Sequence, residues 1–303
     1  MLTRREMLFV TVIMLLGAHG PAVAQSTAQG KLKVVASFTI LADFVRNVGG
    51  DRIEVQALVP PNGDAHVFEP SPADSKRVAD AALVVVNGLG FEGWLERLVA
   101  GADSKATIVV ATKGIAPRLR AERGRIDPHA WQSVANAKIY VGNIRDALIA
   151  ADPAGKSVYE TNAAAYLAKL DALDAEVRDA IAKIPPDRRH VISSHDAFGY
   201  FQDAYAIAFT APQGVSTEAE VSAKNIAAII AQIRREKVPA VFLENVEDPR
   251  LLERIASETG AKIGGTLYTD ALTDANGAAP TYIDMVGHNI KQIATGLTAG
   301  ATP

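Results

Sequence analysis

Two sets of short apolar runs, separated by one long helical pattern, constrain the fold of this chain more than any other feature. The runs lie at 31–37, 53–59, 82–88 and 107–112, and again at 189–194, 205–211, 238–244 and 262–268. Amphipathic segments stand between them, and this alternation is typical of βαβ units. We therefore expect an α/β fold with two lobes, each with a mostly parallel sheet flanked by helices.

Between the two sets, apolar residues recur at three- and four-residue steps from Gly155 to Ile184, which predicts one long helix that ends before Pro185. At about 1.5 Å per residue such a helix extends roughly 45 Å, enough to run along both lobes. The alternative is a helix that packs within one lobe only. The predicted organisation is an N-terminal lobe over 31–150, a connecting helix over 151–185 and a C-terminal lobe over 186–303.

The first 24 residues have the pattern of a cleavable export signal. Arg4 and Arg5 precede an apolar run, and Ala22-Val23-Ala24 fits a cleavage site before Gln25. The apolar run is shorter than the roughly 20 residues that span a bilayer, which argues against a membrane anchor. The choice between general secretion and twin-arginine export stays open.

The chain has no cysteine, which excludes disulfides, thiolate metal sites, a cysteine nucleophile and a lipidated N-terminal cysteine. We therefore expect a periplasmic protein without a lipid anchor. A formal net charge of −3 offers no basic field for phosphate backbones, so we expect no nucleic-acid partner.

One motif suggests a nicotinamide cofactor. Residues 88–93 read GLGFEG, which fits the G-x-G-x-x-G of dinucleotide-binding turns. That motif belongs on the first βα turn, with an acid near the end of the following strand, whereas here it follows the third apolar run and no acid ends the next one. We interpret Gly88 and Gly90 as part of a tight strand-to-helix turn.

Four side chains are candidate metal ligands. His66, His195 and Asp270 follow predicted strands, at the edge where open α/β sheets place ligands, and His129 lies in a loop. Facing lobes would bring all four into one cleft. Ser71-Pro72 predicts the start of a helix behind His66. Spacing alone does not establish a metal site.

A series of motifs resembles the substrate-binding proteins of bacterial ABC importers for zinc and manganese. In chain order they are GDAHVFEPSPAD, NGLGFEGW, DPHAW, SSHDAFGYF, TEAEVSAKNI, FLEN and TLYTDAL. The resemblance implies two α/β lobes joined by one long helix, a metal in the cleft, and a membrane permease as partner. It places the ligands at His66, His129, His195 and Asp270, with Glu244 as a candidate supporting residue beside the cleft. His190 and His288 match no ligand position and are expected to be structural or solvated.

The ligand types favour zinc over manganese. Three imidazoles and one carboxylate suit Zn²⁺, whereas Mn²⁺ prefers more oxygen ligands. Family members with glutamate in place of His195 resemble manganese binders. Where many zinc members insert a His-rich loop, this chain has the short, arginine-rich IAPRLRAERGRI, so no auxiliary site is apparent. Either zinc comes from solution or from a periplasmic metallochaperone, or the metal is a different one.

The expected function is metal capture for import, by a monomer that is not an enzyme. An exported metallohydrolase is the main rival, but neither H-E-x-x-H nor G-x-S-x-G occurs. A storage or adhesin role for the same fold is a third possibility. Because imidazoles bind metal only when deprotonated, affinity is expected to fall below about pH 6.5.

Overall fold

The computed structural model describes residues 30–119, 125–218 and 220–298. The predicted export signal at 1–24 lies outside these residues. Among the described residues, no helix has both the length and the apolar character needed to cross a membrane.

The first lobe contains a four-stranded parallel sheet with strand order β2-β1-β3-β4. Its strands are β1 (Leu32–Ala36), β2 (Ile53–Ala57), β3 (Leu83–Val86) and β4 (Thr107–Val110). Its helices are α1 (Thr39–Gly49), α2 (Pro72–Asp80) and α3 (Leu95–Gly101). The predicted start of α2 is confirmed, since Ser71 and Asp74 cap it reciprocally, side chain to backbone. This cap fixes the chain just beyond His66.

The glycine motif forms the turn between β3 and α3. Gly88 and Gly90 have φ angles of 81° and 80°, which glycine adopts without steric cost. The buried Glu92 carboxylate accepts hydrogen bonds from the backbone N–H of Asn87 at 2.6 Å and of Gly88 at 3.1 Å. Burial raises the pKa of Glu92, although these bonds and one from Ser37 oppose the shift. The amides that would face a pyrophosphate in a dinucleotide site therefore bind the chain's own carboxylate.

A short antiparallel hairpin and two long helices follow. The hairpin strands β5 (Arg118–Leu119) and β6 (Ile126–Asp127) were not expected from the sequence, because two-residue strands have no apolar run. Next come α4 (Val134–Ala151) and α5 (Lys156–Ala182). The 27 residues of α5 correspond to about 40 Å.

The second lobe repeats the first architecture. Its parallel sheet has strand order β10-β9-β7-β8, with β7 (His190–Ile192), β8 (Ala208–Thr210), β9 (Ala240–Glu244) and β10 (Lys262–Leu267). Its helices are α6 (Gly199–Tyr205), α7 (Ala223–Glu236), α8 (Arg250–Thr259) and α9 (Tyr282–Thr298). All eight predicted strands are present, each shorter than its apolar run, and the predicted α/β class with two parallel sheets and a long helix is confirmed.

Helix α5 packs against helices from both halves of the chain, α1 and α4 on one side and α9 and α6 on the other. Its buried side chains include Tyr159, Tyr166, Leu170, Val177 and Ile181, and they belong to one core that also holds residues of both sheets. A 27-residue helix with so many anchored side chains cannot bend without exposing apolar surface. Helix α5 thus contacts elements of both halves of the chain and does not pack within one lobe only.

Candidate metal centre

Each of the four candidate ligands follows a β-strand. His66 lies in the loop after β2, His129 two residues beyond β6, His195 three residues beyond β7, and Asp270 three residues beyond β10. Parallel strands end at the same edge of a sheet, and this places the loops of His66, His195 and Asp270 at the carboxyl edges of the two parallel sheets. His129 instead follows the antiparallel hairpin. The first lobe contributes two histidines, and the second contributes His195 and Asp270.

The structure brings the four side chains together, with one ligand atom from each within 4.8 Å of the others. His66 Nε2 is 3.2 Å from His129 Nε2 and 3.3 Å from Asp270 Oδ2. His195 Nε2 is also 3.3 Å from Asp270 Oδ2, and His129 Nε2 is 3.7 Å from Asp270 Oδ1. Ligand atoms on a regular tetrahedron around zinc, about 2.0–2.1 Å from the ion, stand roughly 3.3 Å apart. Three of the four distances are close to this edge, and the cluster as a whole suits a single ion.

The cluster is almost sealed from solvent. The side chains of His129, His195 and Asp270 are fully buried, and that of His66 is 5% exposed. His195 Nε2 and both carboxylate oxygens of Asp270 are buried without a hydrogen-bond partner. A buried carboxylate without donors is strongly unfavourable, and a bound cation removes this cost. The unpartnered atoms all face the centre of the cluster, so the donor set fits a metal.

An aspartate orients His129. The Asp127 Oδ1 atom lies 2.9 Å from His129 Nδ1 and accepts the His129 backbone N–H at 3.0 Å. This contact favours the tautomer that leaves Nε2 free for metal. Arg118 lies 3.5 Å from the other Asp127 oxygen and reaches α6 of the second lobe through Asp203, at 2.8 Å. Gly199 lies so close to this pair that a Cβ atom there would overlap Asp127 and Arg118.

A glutamate orients His195 in the same way. Glu244 Oε2 lies 2.5 Å from His195 Nδ1, while Oε1 accepts the backbone N–H groups of Ser194 and His195 at 2.8 and 3.1 Å. The structure thus places Glu244, the supporting residue expected from the resemblance, at the end of β9 and against a candidate ligand. Each lobe contributes one carboxylate–histidine pair.

The charges of the cluster determine its protonation. Burial disfavours the charged form of His129, but Asp270 and Asp127 outweigh it and raise the pKa of His129. Burial is likewise outweighed at His195, where Glu244 and Asp270 raise the pKa well above 6.5. Burial opposes ionisation of Asp270 too, yet His195 and His129 hold the pKa of Asp270 well below 3.8. Without metal, the cluster therefore retains protons that an incoming cation must displace.

Hydrogen bonds also cross the cleft around the cluster. Asp64 accepts the His66 backbone N–H at 2.8 Å and the Thr217 hydroxyl, from the second lobe, at 2.6 Å. The Trp131 indole donates at 2.8 Å to the carbonyl of Thr269, which precedes Asp270. Both lobes thus hold the ligand loops directly.

The other two described histidines lie outside the cluster. His190, in β7, contacts Thr210 at 2.9 Å and Glu236 at 2.6 Å. His288, in α9, lies 3.0 Å from the Thr266 carbonyl. Sequence reasoning gave neither the orienting role of Asp127 nor the contacts of Arg118 and Asp64. The sequence does contain a signal for Asp127 and Asp64, because each is a carboxylate two residues before a candidate ligand, His129 and His66. It contains no such signal for Arg118.

The fold and this cluster define a class of protein, the metal-binding substrate-binding proteins of ABC importers. The family described as the periplasmic component A of the zinc-uptake complex matches residues 34–296. The chain belongs to this family.

Several relatives have names that specify different metals. The manganese-binding lipoprotein MntA of Halalkalibacterium halodurans is 36% identical over 88% of this chain and 89% of its own length. The iron-binding protein YfeA of Yersinia pestis is 35% identical, over 88% and 86%. The solved structure of the periplasmic zinc-binding protein TroA from Treponema pallidum superimposes with a TM-score of 0.85 at 31% identity, covering 88% of this chain and 99% of that one. The expected family is confirmed, and capture of a divalent metal for ABC transport follows from it.

Proposed function

We propose that the protein captures zinc and delivers it to the membrane permease of an ABC importer. The observation that carries this proposal is the ligand set, three imidazole nitrogens and one carboxylate at spacings near a zinc tetrahedron edge. All four ligands come from loops that face each other across the lobes. A metal bound there favours the closed form, and a permease that recognises this form couples binding to transport.

Manganese is the alternative substrate. The two Asp270 oxygens lie beside different histidines, Oδ2 near His66 and His195 and Oδ1 near His129. Bidentate binding through both oxygens would enlarge the coordination shell, which suits Mn²⁺. Relatives named for manganese support this alternative.

The deciding measurement is metal content and competition on the metal-free chain from Gln25, by native mass spectrometry with equal free Zn²⁺ and Mn²⁺. We expect one zinc per chain, lost in His66→Ala and Asp270→Ala and retained in the matched control His288→Ala. One manganese held against zinc would keep the transport role and reassign the substrate. Absence of any bound metal would refute the proposal.

We also propose that the protein has no enzymatic activity. Catalytic zinc sites keep three protein ligands and an open position for activated water, whereas four side chains converge here. Turnover of ester, phosphate or lactam reporters by the zinc-loaded protein, abolished in His66→Ala, would overturn this. Loss of growth under metal limitation on deletion would separate import from storage or adhesion.

Further parts of the proposal concern location and partners. Several relatives are named lipoproteins, but this chain has no cysteine to carry a lipid. We propose export through a cleaved signal at 1–24, a monomeric periplasmic protein without a lipid anchor, and zinc supplied from solution or by a periplasmic metallochaperone. N-terminal sequencing and fractionation of the native protein test the location. A chain starting before Gln25 in the membrane fraction would contradict it.

A further inference from the structure

Two first-lobe side chains hold the carbonyl group that directly precedes the aspartate ligand. The Trp131 indole donates to the Thr269 carbonyl oxygen at 2.8 Å, and the Gln132 side-chain amide donates to the same oxygen at 3.0 Å. Trp131 and Thr269 are fully buried, and Gln132 is 2% exposed. Two buried hydrogen bonds between the lobes therefore end one residue before Asp270.

The pair of donors fixes the direction of the peptide group between Thr269 and Asp270. A carbonyl oxygen has two lone pairs close to the peptide plane, and a donor on each prevents the plane from turning about a single bond. The donors are anchored in turn. They belong to a short 3₁₀ turn, Ala130–Gln132, whose Trp131 carbonyl accepts the Tyr282 hydroxyl of α9 at 2.6 Å.

The other end of the Asp270 segment is also bonded to the first lobe. The Leu272 backbone N–H donates to the Thr39 hydroxyl at 2.8 Å, and the Leu272 carbonyl accepts the Asn62 backbone N–H at 2.9 Å. The segment 269–272 follows the last strand of the second lobe in sequence. Its backbone is nevertheless held on both sides of Asp270 by residues of the first lobe.

This backbone support replaces the support that the Asp270 side chain lacks. The rings of His129 and His195 are each oriented by a carboxylate, Asp127 and Glu244. Carboxylates that bind metal are usually hydrogen-bonded as well, but neither oxygen of Asp270 has a hydrogen-bond partner. The position of its backbone is therefore what aims the Asp270 carboxylate.

The orientation of Asp270 bears on which metal the cluster prefers. In the structure, Asp270 Oδ2 lies 3.3 Å from both His66 Nε2 and His195 Nε2, whereas Oδ1 lies 3.7 Å from His129 Nε2. Only Oδ2 has the spacing of a zinc tetrahedron edge, so one oxygen completes a shell of four ligands. Binding through both oxygens, which suits Mn²⁺, requires Oδ1 to move closer to the ion.

We propose that Gln132 is a positioning residue that favours zinc over manganese. Together with Trp131 it holds the Thr269 carbonyl and thereby keeps Asp270 in the orientation that offers one oxygen to the ion. This inference rests on the proposed function and names a residue that sets its metal preference. Gln132 touches no metal itself and acts only through the backbone of the ligand.

A purely structural role for Gln132 is the competing explanation. A buried amide needs a hydrogen-bond partner wherever it lies, and the Thr269 carbonyl supplies one. That role predicts lower stability on substitution, with both metals weakened by the same factor. A positioning role predicts that zinc binding weakens more than manganese binding, because a freed carboxylate can approach with both oxygens.

The first test measures Kd for Zn²⁺ and for Mn²⁺ in Gln132→Met, by competition with a chelator. Methionine has nearly the length of glutamine but no donor, and the Thr269 carbonyl keeps its Trp131 bond, so the cost in stability should be small. We expect Kd for Zn²⁺ to rise about 10-fold and Kd for Mn²⁺ to change by at most about twofold, so that the preference for zinc falls about fivefold or more. Equal factors for the two metals would overturn the proposal.

Two further variants keep this test decisive. Thr39→Val removes the acceptor of the Leu272 N–H and leaves Gln132 intact, and it should lower the preference for zinc in the same direction. The matched control is Asn143→Leu, because the Asn143 amide donates at 2.8 Å to the Ala111 and Lys113 carbonyls, after β4, where no candidate ligand lies. The control should keep the wild-type preference. If wild type and both variants share one preference, the positioning role is refuted and the proposed function stands. If the wild type binds no zinc, the proposed function itself fails.

The second test observes the coordination directly. Co²⁺ is loaded in place of zinc, since its visible absorption is intense in four-coordinate sites and weak in sites with more ligands. We expect intense absorption in the wild type and a weaker band in Gln132→Met at the same cobalt content per chain. Equal spectra in the two proteins would overturn the positioning role. Weak absorption already in the wild type would refute coordination through one Asp270 oxygen, and the inference with it.

Discussion

Replacing Glu244 by glutamine should weaken metal binding although residue 244 is not a ligand. In the structure Glu244 faces three N–H groups, the His195 imidazole at 2.5 Å and the backbone amides of Ser194 and His195 at 2.8 and 3.1 Å. A carboxylate accepts all three bonds, whereas glutamine has one acceptor oxygen and an NH₂ group. In either orientation, the NH₂ group faces at least one buried N–H.

The size of the effect follows from this mismatch. Loss of the carboxylate weakens the preference for the tautomer that leaves His195 Nε2 free for metal, because the single glutamine oxygen cannot accept from all three N–H groups. Changes to partners of metal-bound histidines typically reduce affinity 10- to 100-fold, which corresponds to about 1.4–2.7 kcal/mol. Because the Glu244 site is fully buried and loses both a charge and an acceptor, we expect a loss toward the upper end of that range.

Competition with a fluorescent chelator at pH 7 measures Kd for Zn²⁺ in the variant. The matched control is Glu236→Gln, because Glu236 contacts His190 Nδ1 at 2.6 Å in the same kind of pair but away from the cluster. The control should bind as wild type. A Kd for Glu244→Gln within twofold of wild type, in a protein with unchanged circular dichroism, would refute the reasoning.

Three further predictions concern the same centre. Gly199→Ala places a methyl group against Asp127. We expect the free energy of unfolding, measured by thermal or urea denaturation, to fall by about 1–3 kcal/mol and metal binding to weaken. Unchanged stability would show that the methyl group is not crowded. His195→Glu should shift preference toward Mn²⁺ in a competition assay, and an unchanged preference would assign selection to cavity shape. The raised pKa values of His129 and His195 keep these groups protonated above pH 6.5 in the metal-free fold, so Kd should continue to fall as pH rises beyond 6.5. The two protonated imidazoles stabilise the metal-free fold fully below pH 6.5, and this stability is lost as pH rises through their folded-state pKa values. The rise in Tm on adding metal should therefore grow from pH 6 to 8.5. A rise in Tm that stays constant over this range would contradict the prediction.

Local features of the sequence were enough to predict the elements. The apolar runs became strands because β-branched and other apolar side chains suit a pleated sheet, and the residues of β3 are buried on both faces of its sheet. The Ser71 cap and the stop before Pro185 depend on neighbours a few residues away, so the sequence shows them directly. The hairpin of β5 and β6 escaped prediction, because its two-residue strands leave no apolar run in the sequence.

The candidate ligands came from motif resemblance, and only the fold shows that His66, His129, His195 and Asp270 meet at one point. Binding of metal at these residues stays a prediction, as do the lobe boundaries. Even so, the sequence alone determined the α/β class, the long helix, the family and the chemical types of the candidate ligands, because periodicity and motif order depend on residues near each other in the chain. The tertiary structure alone decided the contacts that depend on side-chain packing. Glu244 orients His195, and Asp64 and Thr217 bridge the lobes, because these contacts require distant segments to be held a few ångströms apart.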